Sequence, residues 1–262
     1  MPQSVALSLI DDLAADGIES FTARDLAARV QLSPQARSNA LRRLVDSGLL
    51  DRVSRGHYVL RPVGRLGTSA ASEDVALAVG ALLAGEPHRI AYRSALDTHA
   101  LIAHPARSIQ VAAERRVQVA RLSGRQLQIV HEAAVKTRIG AEPLAGGAWV
   151  SGHERALIDA GARPGLVGGP SVLAEALAAR TADADALSEL AEQLGTWPAL
   201  RRLGSLADAL EIGWLQHRLN PPTHGGEIAL DPTTPGQTLW RDRRWRVRWQ
   251  VAPQELRAGL QT

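Results

Sequence analysis

Ser33-Pro34-Gln35-Ala36-Arg37-Ser38-Asn39-Ala40-Leu41-Arg42-Arg43-Leu44-Val45-Asp46-Ser47-Gly48, continued by Leu49-Leu50-Asp51-Arg52-Val53-Ser54-Arg55-Gly56-His57-Tyr58-Val59-Leu60, is the stretch on which the fold turns. Serine followed by proline starts a helix: serine caps the free amides, and proline at the first helical position forfeits no hydrogen bond. Ala36, Ala40, Leu41, Leu44 and Val45 form its apolar face, and Gly48 stops it. The other face carries Gln35, Ser38, Asn39, Arg42 and Asp46, with Arg37 and Arg43 beside the stripe. Two short runs of strand-forming residues then flank Ser54-Arg55-Gly56-His57, which predicts a β-hairpin with Arg55 near its tip.

Upstream, Val5, Leu7, Leu9, Ile10 and Leu13 predict a first helix ending at Gly17. Thr22 is placed to cap a second, short helix, with Asp25 favourable to its dipole and Leu26 and Val30 facing inward. Three helices and a hairpin in this order predict a winged helix-turn-helix over 1–62. The charge divides with the structure. Residues 1–32 set two arginines against five carboxylates, whereas 33–62 set six arginines against two aspartates.

A lone polar stripe on a helix ordinarily just meets water. Stripe, cap, glycine stop and basic wing in the right order within thirty residues point instead to DNA. Gln35 and Asn39 suit adenine edges, Arg42 suits guanine, Ser38 suits either, and Arg37, Arg43, Arg52 and Arg55 suit phosphates.

The rest of the chain is long enough for a second domain. At 262 residues, 45% hydrophobic and 22% charged, the composition is globular. Zero cysteines exclude disulfides, a cysteine nucleophile and thiolate metal sites. Without a membrane-length apolar run or a secretory leader, a cytoplasmic protein is expected. The pI near 10.1 says little about nucleic acid: 29 of the 30 basic residues are arginine, so a surplus of three charges resists titration.

Residues 63–70 are rich in small residues and breakers and are expected to be a linker. The segment 71–262 is expected to be a mixed α/β domain, making the whole chain α+β. Helices are expected from Ser72 to Gly85, Tyr92 to Leu101, and near 171–180, 183–194 and 199–213, with strands at 109–111, 117–119 and 126–130. Ser151 is expected to cap a further helix, with Glu154 completing a capping box. A second basic set is Arg115, Arg116, Arg121 and Arg125. In 244–251, Trp245, Val247, Trp249 and Val251 alternate with Arg244, Arg246 and Arg248, so the tryptophans are expected in the core and the arginines on a wet or phosphate-tracking face.

No nucleotide-binding glycine motif or zinc-protease motif occurs, and Gly146-Gly147 and Gly168-Gly169 lack the residues that would make phosphate loops. No catalytic residues, cofactor or metal are expected. Were there a metal-dependent nuclease or nucleotidyltransferase here, Asp97, His99 and Glu154 would be its ligands. A third reading makes the acidic 181–213 segment a grip for a protein partner.

Several short stretches occur in the order of a known family: Ala91-Tyr92-Arg93-Ser94-Ala95-Leu96 with His99; Ser151-Gly152-His153-Glu154-Arg155-Ala156-Leu157-Ile158-Asp159; Arg201-Arg202-Leu203-Gly204; and Ile228-Ala229-Leu230-Asp231-Pro232 with Arg244-Trp245-Arg246-Val247. With the winged helix, they resemble the AbiEi family, antitoxins and transcriptional regulators of type IV toxin–antitoxin and abortive-infection systems. The resemblance implies a winged helix reading inverted repeats in the promoter of its own operon, with dimerisation on DNA possible. It implies a larger α/β domain with a basic surface and a nucleotidyltransferase-like toxin as functional partner, in many members without a stable complex. It carries no catalytic motif.

Overall fold

The computed structural model describes residues 2–61, 71–115, 121–123, 125–223 and 225–260. The N-terminal helices form where local signals put them: α1 (Pro2–Ala15), α2 (Ala23–Arg29) and α3 (Pro34–Asp46). The hairpin is β2 (Leu50–Ser54) and β3 (His57–Leu60), turning at Gly56 with φ +81°. One strand was not foreseen. Ser20–Thr22 (β1) pairs antiparallel with β3, giving the order β1-β3-β2 before Thr22 caps α2. Leu9, Leu13, Phe21, Leu26, Leu41, Leu44, Leu50 and Tyr58 close this unit's own core, with Phe21 and Tyr58 stacked 5.8 Å apart. Ala36, expected on the apolar face, is exposed, because α3 turns its Leu41–Leu44 side inward.

The rest of the described chain is a mixed α/β body, so the α+β class holds. A six-stranded sheet among the described residues has the order β6-β7-β5-β4-β9-β8, from His88–Ile90 (β4), Ser108–Ala113 (β5), Arg121–Leu122 (β6), Arg125–His131 (β7), Ala141–Pro143 (β8) and Trp149–Ser151 (β9). Pairs β5–β7 and β4–β9 are parallel; β4–β5, β6–β7 and β8–β9 are antiparallel. Helices α4 (Ala71–Leu82), α5 (Tyr92–Thr98), α6 (Ala134–Thr137), α7 (His153–Ala162), α8 (Pro164–Val167), α9 (Pro170–Ala179), α10 (Ala184–Leu194) and α11 (Trp197–Leu210) surround it. A small sheet, β10 (Ile228–Ala229), β11 (Trp240–Asp242) and β12 (Val247–Trp249), ordered β10-β12-β11, and α12 (Pro253–Gly259) complete it.

Helix α7 is the hub, with every residue from Arg155 to Gly161 buried. Tryptophans 245 and 249 are core, as expected, and Gly204 on α11 has to be glycine: an added Cβ would stand 2.2 Å from the Trp245 ring. The 63–70 stretch and the strand expected at 117–119 lie outside the described residues.

An apolar seam joins the two units. Alternation along β2 and β3 sends Tyr58 into the winged-helix core but Val53 and Val59 out of its other face, into the large core that also holds Val75 and Val79 of α4. Ser123 N–H, next to β6, donates to the Val53 carbonyl at 3.3 Å. A sheet buried on both faces couples the two units, so the full chain is expected to melt in one transition. Val59→Asp, which buries an unpaired carboxylate in that seam, is expected to lower stability by about 3 kcal/mol or more. Denaturant titration measures both, followed by tryptophan fluorescence, which reports the body because all six tryptophans lie there, and by far-ultraviolet circular dichroism, which reports both units. Separated curves would show that the units melt independently.

Candidate nucleic-acid interface

The ends of the reading helix are set by side-chain caps. Ser33 Oγ accepts the Ala36 amide at 3.2 Å, and Pro34 follows at the first position. In α2 the box is complete: Thr22 Oγ1 accepts from Asp25 N at 3.0 Å, and Asp25 Oδ2 accepts from Thr22 N at 2.8 Å. Those hydrogen bonds, the Thr22 amide first, hold the Asp25 carboxyl below its ordinary range. The wing is tied to this corner, because Ala23 N–H donates to the Gly56 carbonyl at 2.8 Å.

On this frame Gln35, Ser38, Arg42 and Arg43 are exposed along α3, while Arg37 and Asn39 are half-buried at its margin. Gln35 Nε2 stands 3.5 Å from Asn39 Oδ1, at the edge of hydrogen-bond reach. Arg52 and Arg55 are exposed on the wing. Elsewhere on this module Arg24 of α2 is exposed and without a side-chain partner among the described residues, whereas Arg29 pairs with Asp16 and Arg61 with Asp51, the latter through two hydrogen bonds of 2.9 and 2.6 Å. By contrast Arg37, Arg42, Arg43, Arg52 and Arg55 make no side-chain hydrogen bond or ion pair with any described residue. Unpaired cations held on a helix and an adjacent hairpin are what a phosphate backbone selects.

The second basic set divides. Arg121 is exposed on β6, which the fold brings against β2, so it extends the winged-helix surface. Arg115 pairs with Glu86 at 3.4 Å, and Arg125 donates to the Ala106 carbonyl. Arg116 lies outside the described residues.

The C-terminal arginines need a correction. The strand is only Val247–Trp249; residues 243–246 are a turn, with Arg246 at φ +53°. Arg244 bonds Asp208 at 2.9 Å and lies 5.5 Å from the Trp245 ring. Arg246 donates to the Gly225 carbonyl at 2.7 Å and the Thr223 carbonyl at 3.3 Å. The turn folds both guanidinium groups back onto the protein, and only Arg248 remains exposed and unengaged among the three. Replacing all three with Gln should therefore flatten the log–log salt slope of DNA binding by no more than about 0.9, one contact's worth, rather than about 2.7.

One of the stretches that carry the family resemblance, 151–159, supplies Ser151, Arg155 and Asp159 to a buried ionic cluster whose other members, Arg89 and Glu132, lie outside those stretches. Arg89 on β4, fully buried, bonds both Asp159 oxygens at 3.0 Å, the Glu132 carboxylate and Ser151 Oγ at 3.0 Å. Arg155 bonds Asp159 at 2.9 Å and Glu132 at 2.7 Å, and Ser151 Oγ donates to Asp159 at 2.8 Å. Burial alone would raise the Asp159 carboxyl, but Arg89 and Arg155 outweigh it and hold it below its ordinary value. Burial, helped by the Asp159 charge, pushes the neighbouring Tyr92 hydroxyl up to about 12. Of this cluster, only the Arg155–Asp159 spacing of four was visible locally.

The expected capping box at Ser151 is not formed. Ser151 ends β9 and spends its hydroxyl on Asp159, so Gly152 caps α7, and Glu154 accepts instead from the Asp183 amide at 3.2 Å. The nuclease ligands do not come together either. Asp97 accepts from Ala106 N, His99 Nε2 meets the Ser151 carbonyl at 2.6 Å, and among the described residues no three His, Cys, Asp or Glu side chains form a metal-binding group. In the acidic 181–213 segment, Asp183 caps α10 and Asp208 holds Arg244 and the Trp245 indole, so part of that charge is structural.

Residues 8–61 match the family described as "Transcriptional regulator, AbiEi antitoxin". Over these residues the chain is similar to AbiEi antitoxin regulators, which supports that resemblance for the N-terminal unit. The match begins inside α1 and ends just after β3, so it spans most of the winged helix, from its first helix to its wing. No curated protein matches the chain. Over its full length the chain is similar in fold to the crystal structure of the RV2827C protein from Mycobacterium tuberculosis, with a TM-score of 0.62, 19% identity, and coverage of 97% of this chain and 92% of that one. The fold of the winged-helix unit followed by the α/β body thus has a counterpart in a solved structure. No helix among the described residues is long and apolar enough to cross a membrane.

Proposed function

We propose that this chain is a sequence-specific DNA-binding antitoxin that represses its own type IV toxin–antitoxin operon and counteracts a nucleotidyltransferase-like toxin. The observation that carries the reading is the set of five arginines on α3 and the wing left without partners among the described residues, in a segment matching AbiEi regulators. Double-stranded DNA is the direct partner; α3 enters the major groove, and Arg55 follows the adjacent backbone. Arg121 supports phosphate contact from the body, beside β2. The operator is an inverted repeat bound by two copies, and the toxin is a functional partner that need not form a stable complex. The protein acts by binding and requires no cofactor or metal.

The expected result is a shifted band for the DNA upstream of the chain's own gene, resistant to competitor DNA, and repression of a reporter driven by it. Equal affinity for upstream and unrelated DNA at several salt concentrations would refute the reading, since specific sites are bound about 10³-fold or more tightly than bulk DNA.

A further inference from the structure

A second polar site lies in the body. A cavity of about 470 Å³ is lined by Arg202, Asp231, Thr234, Arg248 and Gln250 together with apolar residues that include Ile228 and Pro235. Two features of its wall lack a match. Arg202 is 5% exposed and has no carboxylate partner within ion-pair distance among the described residues; it donates only to the carbonyls of Ala229 (2.9 Å), Gly161 (2.9 Å) and Ala162 (3.4 Å). Buried guanidinium groups are ordinarily neutralised, as Arg89 and Arg155 are here. Arg248, in β12, is exposed and unengaged, although its neighbours Arg244 and Arg246 are folded back. The one carboxylate present, Asp231, is turned toward Thr233 and Thr234, whose hydroxyls donate to it at 2.7 and 2.8 Å. Gln250 adds an enclosed Oε1 with no donor among the described residues, which is uncommon for a buried acceptor.

We propose that this cavity binds a small phosphate ester of about mononucleotide size, with Arg248 as the phosphate contact at the mouth and Arg202 supplying positive potential from the wall. The site carries one net positive charge from Arg202, Arg248 and Asp231, and its volume suits such a ligand. A duplex backbone is the other source of phosphate. It is disfavoured because Arg202 is too deep for a duplex to reach and because Arg248 has no free arginine beside it on its strand to extend a cationic track.

The test titrates the full-length protein with adenosine 5′-monophosphate and, separately, with inorganic phosphate, by calorimetry. Saturable binding of the nucleotide with a dissociation constant below about 1 mM is expected. Arg248→Gln should weaken it roughly tenfold or more while leaving operator affinity and its salt slope as in wild type. Arg248→Lys, which keeps the charge without the fork, should fall between the two. Absence of saturable binding by either probe, equal binding by Arg248→Gln and wild type, or a loss in Arg248→Gln confined to operator DNA would each overturn the proposal; the last would assign Arg248 to the DNA surface. The outcome does not depend on operator recognition, so the failure of one leaves the other standing.

Discussion

Arg42→Ala combined with Arg55→Ala is expected to abolish specific operator binding with the fold intact. Arg42 is on the exposed face of α3, Arg55 at the wing tip, and neither engages any described residue. Each truncation should therefore cost under about 0.5 kcal/mol of stability. A lost base contact costs roughly 1–3 kcal/mol, and a lost phosphate contact also lowers the salt slope by about 0.9. Together they should weaken the specific complex by about a hundredfold or more. Competition mobility shifts across a salt series separate the two contributions: Arg42→Ala alone should relax base preference, and Arg55→Ala alone should flatten the slope. Wild-type affinity in the double variant, with unchanged melting, would remove α3 and the wing from the interface.

Asp159→Ala should be the most destabilising single change in the body. It deletes the carboxylate that accepts from Arg89, Arg155 and Ser151, leaving two buried guanidinium groups with Glu132 as their one carboxylate among the described residues. Breaking a buried pair by removing one partner costs about 3–5 kcal/mol, a large share of a domain's stability. The pH dependence has a definite sign. Because the folded-state value of Asp159 is held down, its contribution is present above the unfolded carboxylate value of about 3.9 and is lost as pH falls through the lower folded value. Wild type should thus lose stability on acidification below about pH 4, and Asp159→Asn should lose less over the same interval. Parallel acid limbs in the two proteins, measured by urea titration, would show that the cluster does not hold Asp159 ionised.

The folding of α3 was legible because its signals are local: a serine cap and a proline act within one turn, and a glycine with positive φ ends the helix wherever the chain goes afterwards. The same holds for Thr22 with Asp25, and for the alternation that buries Trp245, Val247 and Trp249. Thus the winged helix, its basic face and the core role of the tryptophans could be read residue by residue. What depended on distant partners could not. Strand β1 exists because Ser20–Thr22 finds β3 some forty residues later. Ser151 forsakes its capping role because Asp159 and Arg89, the latter 62 residues away, offer a buried charge-assisted bond. Arg244 and Arg246 look free in sequence and are not, because a turn points them at Asp208 and at the carbonyls of 223 and 225. Sequence alone determined where cations and caps stand along the chain, since those follow from backbone preferences over a few residues. Only the tertiary structure decided which cations remain free for a ligand, because that depends on which opposite charges and carbonyls folding brings within about 3 Å.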